Sequence, residues 1–165
     1  MKKIISVILV VLIYTSCMAS NEKKDYPSFY KLYKGSENVV NFRLPTDLMA
    51  MFINKKDDKE LKQFLKDIDN LTFFIAEDSA NALLPMLYEY LPSEMYKDVM
   101  IIADSSSDII FKARDDGNSI SEIIMLIEES NSFIVMSIEG DFTEKDIKKF
   151  VKAIDTNKVR NTSSE

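Results

Sequence analysis

Between Tyr96 and Gly140 four apolar segments stand almost end to end, and few folds accept such an arrangement. They are Val99–Ala103, Ile109–Ala113, Ile120–Glu128 and Phe133–Glu139. The gaps are short and polar: Asp104-Ser105-Ser106-Ser107, Asp115-Asp116-Gly117-Asn118 and Glu129-Ser130-Asn131-Ser132. Strand-like runs of Ile, Val, Met and Phe joined by tight polar turns predict an antiparallel meander. Asp116-Gly117 offers the positive-φ positions that a tight hairpin needs. In the second segment Ile109, Phe111 and Ala113 alternate with Lys112 and Arg114, the pattern of a sheet with one wet side. The third is apolar on both faces, with Ile123, Met125 and Ile127 against Ile124 and Leu126, and so predicts a central strand.

The rest of the chain supplies helices for that sheet. Val39–Phe42 reads as a short strand leading to Pro45, which suits a first helical turn. Leu48, Met49, Met51 and Phe52 make a short helical face. Asp57 or Asp58 caps a further helix whose Leu61, Phe64, Leu65 and Ile68 recur at helical spacing. Leu71–Ala76 is a strand, and Ser79–Leu91 a helix with Leu83, Leu84, Leu87 and Leu91 apolar, in which Pro85 falls in the first turn or makes a kink. After Gly140, Thr143 and Asp146 form a near capping box for a last helix carrying Ile147, Phe150, Val151 and Ile154. The whole predicts an α+β layer: a mostly antiparallel sheet of about five strands with helices on one face.

Composition matters most for what it excludes. With no His, and Cys17 as the single Cys, the chain lacks Ser-His-Asp and Cys-His catalysis, imidazole metal sites, CxxC redox chemistry and internal disulfides. Gly35, Gly117 and Gly140 are its only glycines, too few for a phosphate-cradling loop. No cofactor is therefore expected. The formal charge of −6, or −8 once Lys2 and Lys3 go with a leader, argues against nucleic acid and against electrostatic docking on anionic lipid.

Residues 1–16 read as a lipoprotein signal peptide. Lys2-Lys3 is followed by the apolar run Ile4–Ile13, interrupted by Ser6. That run spans about 15 Å as a helix, half a bilayer core, which makes it a leader and not a transmembrane helix. Tyr14-Thr15-Ser16-Cys17 resembles a lipobox, in which small residues precede a Cys that is cleaved and acylated; the alternative is a plain leader cleaved near Ala19. Acyl chains on Cys17 would anchor the mature protein in a membrane. Residues 17–37 read as the lipidated Cys and a tether, 38–155 as a single α+β domain, and 156–165 as a disordered tail. Phe29, Tyr30, Leu32 and Tyr33 stiffen the second half of the tether, either by docking on the domain edge or as an aromatic recognition patch.

The run Ser121–Glu128, followed by Phe133–Phe142 with its Ile138-Glu139-Gly140, resembles the C-terminal signature of a Bacteroidetes lipoprotein family catalogued as domain of unknown function 4252. The resemblance covers roughly residues 38–154. It implies a lipid-anchored envelope protein, on the periplasmic face or at the outer membrane. No catalytic residues come with it.

Candidate sites are few, and each has a plainer account. Asp104–Asp108 follows an apolar run as a metal-binding Asp-x-Ser-x-Ser does, yet a solvated turn explains it. Asp115–Asn118 lacks the ligand spacing of an EF-hand and reads as a turn. Asp57, Asp58 and Glu60, or the pair Glu128-Glu129, offer carboxylates for acid–base work, though caps and turns account for them. Asp78-Ser79-Ala80 fits a short O-glycosylation pattern of envelope proteins of that phylum; Ser79 is equally a helix cap. The nine methionines read as core filler before an adaptable groove. The expectation is a non-enzymatic, lipid-anchored binding or accessory module, with an envelope protein as partner. A carrier of a lipid or acyl chain is the second reading. The third is a carboxylate-based hydrolase, which needs two acids converging in one concave pocket.

Overall fold

A computed structural model describes residues 23–45, 64, 66–103, 105–117 and 119–153, with side chains described up to residue 148. The elements are α1 (Tyr26–Tyr33), β1 (Val39–Leu44), β2 (Ile68–Glu77), α2 (Ala80–Glu89), β3 (Tyr96–Ala103), β4 (Asp108–Asp115), β5 (Ile120–Glu128), β6 (Ser132–Phe142) and α3 (Glu144–Ala153). One six-stranded sheet runs in the order β1-β2-β6-β5-β4-β3, antiparallel throughout. The α+β class and the meander β3–β6 follow the sequence pattern. The strand count is six, not about five, because Val39–Leu44 pairs along its whole length with β2.

Alternation decides the two faces. Phe74, Ala76, Val135, Phe133, Ile124 and Leu126 share one face and are buried there under α1 and α2. On the other face Leu71, Ile123 and Ile138 gather with Phe64, Phe142 and Ile147 of α3. Helical elements therefore cover both faces, and the one-sided layer expected from sequence is corrected. Two neighbouring strands, β5 and β6, are apolar on both faces for this reason.

Three local expectations change as well. Lys112 and Arg114 do not face water: Lys112 is buried and its Nζ donates to Asp98 at 2.6 Å, while Arg114 is drawn into the network described below. Ile68 is the first residue of β2, paired with Gly140, because the chain turns at Asp67, whose N–H bonds the Phe64 carbonyl at 3.1 Å. Helical spacing cannot distinguish a last helical residue from the first of a strand one turn later. Residues 26–33, inside the stretch read as tether, form a helix whose Tyr26 and Phe29 are fully buried. The Phe29 ring meets Phe74 at 5.2 Å, Tyr33 at 4.8 Å and Tyr90 at 5.8 Å. Of the two roles open to these aromatics, docking is the one observed. The leader with Cys17, the tail, the helical face at Leu48–Phe52 and the acids Asp57, Asp58 and Glu60 lie outside the described residues.

Gly140 shows how tightly the far end of the sheet closes. A methyl group there would stand 2.1 Å from the Asp67 carbonyl oxygen and 2.6 Å from Cζ of Phe142. The Phe142 ring cannot step aside, being stacked on Phe64 at 5.2 Å. The β2–β6 register slips at this point, between Ile68 and Asn70. Gly140→Ala is thus expected to destabilise the protein by about 3 kcal/mol, read as a fall in the urea midpoint at unchanged m-value.

Candidate functional site

Among the described acidic and basic residues Glu122 is the most deeply buried, 1% exposed on β5. It alternates with Ile124 and Leu126, so its side chain enters the face that α1 covers. A carboxylate there loses its hydration and must be repaid by donors. Ser137 on β6 donates to Oε1 at 2.6 Å, and the Tyr96 hydroxyl on β3 donates to Oε2 at 2.8 Å. Arg114, its register partner on β4, donates from Nη1 to Oε2 at 3.4 Å. Three strands thus converge on one carboxylate.

The same groups hold α1. The Tyr96 hydroxyl accepts from the Tyr26 backbone N–H at 3.0 Å. Arg114 Nη1 lies 3.7 Å from Asp25, the N-cap of α1, whose Oδ1 accepts from the Ser28 N–H at 3.1 Å. Arg114 Nε donates to Ser121 at 3.1 Å and stands 3.6 Å from Asp116. Burial raises the Glu122 carboxyl above its ordinary value, against the pull of its Ser137, Tyr96 and Arg114 partners. Burial also raises the Tyr96 phenol, and the Glu122 charge adds to it. A hydrogen bond with Ser121 holds Asp116 below its ordinary value, helped by the Arg114 and Lys23 charges.

Two concavities flank this network. A polar pocket of about 280 Å³ brings Asp69, Glu122 and Glu139 together with Arg114. Glu139 faces Glu122 across the β5–β6 pairing and contributes to raising its carboxyl. An open groove of about 490 Å³ lies at the same end of the sheet, against α3. Its apolar lining is Val99, Ala113, Ile120, Phe142 and Ile147, and Lys97, Lys148, Asp115 and Glu144 are its charged groups.

The residues singled out from sequence lie elsewhere. Ser79 occupies the N-cap position of α2 without a side-chain cap bond, its Oγ buried and unpartnered, while Asp78 beside it accepts from Asn131 at 2.6 Å. Glu128 accepts from the Tyr88 hydroxyl, and Glu129 from Ser132 at 2.8 Å. Asp115 accepts from the Gly117 N–H at 2.7 Å in the β4–β5 turn, where Gly117 has φ +91°. Asp108 opens β4 opposite Ala103, and Asp104 and Asn118 lie outside the described residues. Among the described residues no three acidic side chains stand where they could hold one metal ion. The acids that do converge, Asp69, Glu122 and Glu139, were not singled out. One signal was available: Glu122 interrupts an apolar row of a central strand, with Arg114 and Ser137 beside it on the neighbouring strands.

Sequence comparison bears on the same stretch. A family model described as a domain of unknown function, DUF4252, matches residues 33–150. No curated protein and no solved structure matches the chain.

The buried carboxylate has a pH signature. A carboxyl raised in the folded state binds its proton more readily there than in the unfolded chain, so stability rises as pH falls from neutral towards the ordinary carboxylate value. Removing the arginine deepens that dependence. Arg114→Met is expected to lose about 3 kcal/mol at pH 7, part of it recovered at pH 5, in urea titrations at both pH values. Glu122→Gln is expected to flatten the dependence over the same range.

Proposed function

Because this chain belongs to the DUF4252 family, described only as a domain of unknown function, we propose its role from its own residues: a lipid-anchored binding module of the cell envelope, without catalytic activity. It is held in the membrane through acyl chains on Cys17, as a Bacteroidetes-type lipoprotein would be, and acts by engaging an envelope protein. The observation that carries this reading is the state of the sheet's two outer strands. Val40 and Phe42 on β1, and Val99 and Ile101 on β3, are large, apolar and exposed, with Ile101 58% accessible. An outer strand with apolar side chains in water invites pairing with another chain, whose main chain would supply affinity and whose side chains would supply selectivity.

The acidic pocket supports catalysis less well. Both Glu122 oxygens accept hydrogen bonds from within the protein, so its carboxyl is held for structure and not presented to a substrate. The open groove beside α3 gives the second reading, a carrier of an apolar ligand, its own observation.

The anchor is tested by expressing the full chain beside Cys17→Ala, with labelled fatty acid and membrane fractionation. The variant is expected to keep the native circular dichroism, take up no label and leave the membrane fraction. Retention of the variant on the membrane would contradict the anchor. A protein captured by the acylated chain is expected to be lost on Ile101→Lys or Phe42→Lys.

A further inference from the structure

The groove and the point where the chain enters the fold lie at one end of the sheet. Lys23, the first described residue, stands 3.7 Å from Asp25, which pairs with Arg114 at 3.7 Å, and Arg114 in turn stands 3.6 Å from Asp116. Asp115 and Gly117, on either side of Asp116, line the groove. From Cys17 to Lys23 is six residues, which reach at most about 20 Å even when fully extended. With α1 built into the core, this is all the slack an anchored domain has. An anchor at Cys17 therefore keeps the end of the sheet that bears the groove close to the bilayer surface.

The lining of the groove is that of a site for an amphiphile. Val99, Ala113, Ile120, Phe142 and Ile147 form an apolar floor, and about 490 Å³ lies within the range of small-molecule sites. Among the described residues its charged groups are two cations and two anions. Lys97 Nζ is bonded to the Ser93 carbonyl at 2.9 Å and has no acidic partner among the described residues. Asp115 is bonded to the Gly117 N–H. Lys148 and Glu144 sit one helical turn apart, 3.7 Å from each other and well exposed, a pair too weak to resist exchange of partners. A purely anionic head would meet Asp115 and Glu144 as well as the lysines. A head that carries both a phosphate and an ammonium group satisfies all four.

We propose that this groove receives an acyl chain of a zwitterionic phospholipid from the bilayer that Cys17 holds against it, with the phosphate towards Lys97 and Lys148 and the ammonium towards Asp115 and Glu144. The inference rests on the anchored-module reading for its lipid source, while the groove itself belongs to the fold.

The test uses the full chain carrying Cys17→Ala, which has no acyl chain of its own, and a lysophosphatidylethanolamine spin-labelled on its acyl chain. Broadening of the Ile120, Phe142 and Ile147 amide signals is expected, with binding at least fivefold tighter than for the lysophosphatidate or the monoacylglycerol bearing the same chain. Val99→Trp, at a side chain 39% exposed, narrows the groove without entering the core and is expected to weaken binding tenfold or more at an unchanged urea midpoint. Broadening confined to other surfaces, equal binding of all three heads, or binding indifferent to Val99→Trp overturns the proposal. Acylated wild-type protein in zwitterionic nanodiscs separates the sources. Exclusion of the label there, against binding by Cys17→Ala, would assign the groove to the protein's own acyl chain and overturn the bilayer source. A failed anchor would show in fractionation alone and leave the binding by Cys17→Ala intact.

Discussion

A carboxylate with 1% exposure organises one end of this protein. Burying Glu122 costs several kcal/mol unless donors replace its water, and three strands provide them: Ser137 from β6, Tyr96 from β3 and Arg114 from β4. Each of these elements is thereby committed to a fixed position relative to β5. Two of the donors do further work. Tyr96 takes the Tyr26 N–H, and Arg114 reaches Asp25, so the start of α1 is fastened to the same point. The aromatic contacts of Phe29 with Phe74 and Tyr90 complete the docking from the apolar side. Neither half suffices alone. An eight-residue helix is too short to persist in water, and a buried ion network without a lid would be hydrated.

This dependence explains why the sheet needs helices on both faces. The side chains of β5 and β6 are apolar in both directions, and α1 with α2 covers one face while Phe64 and α3 pack at the other. At the end where the strands close, Gly140 lets the β2–β6 pair approach the Asp67 carbonyl, and Phe142 fills the space below it. The groove against α3 lies beside this closure, with Phe142 and Ile147 contributing to both the second core and the groove lining. Core and candidate binding surface are thus continuous, and a ligand in the groove would extend the second core.

Much of the fold could be read from the chain. The meander was legible because its strands are apolar runs separated by short polar turns, and the cap of α3 was legible from Thr143 and Asp146, whose reciprocal bonds are present. The helix Tyr26–Tyr33 was not, because its buried face consists of few residues set among lysines and serines, and tertiary contact supplies what local periodicity lacks. Lys112 and Arg114 were misplaced for a related reason: a charge in a strand signals water unless a partner on another strand is known, and Asp98 and Glu122 are partners only in the folded register. The converging acids had the same defect as a signal. Asp69, Glu122 and Glu139 are scattered along the sequence and meet only through the β2–β6–β5 order.

The account turns on α1 being part of the folded domain and not a segment of tether. Native-state hydrogen exchange of the Tyr26 and Phe29 amides tests this most directly, since the first is bonded to the Tyr96 hydroxyl at 3.0 Å and the second to the Asp25 carbonyl at 3.1 Å. Both are predicted to exchange only through global unfolding, with the same free energy and denaturant dependence as amides of β5 and β6. Exchange of these two amides through a cheaper local opening, while the sheet stays protected, would contradict it: α1 would then undock freely, and the leash between Cys17 and the domain would be long.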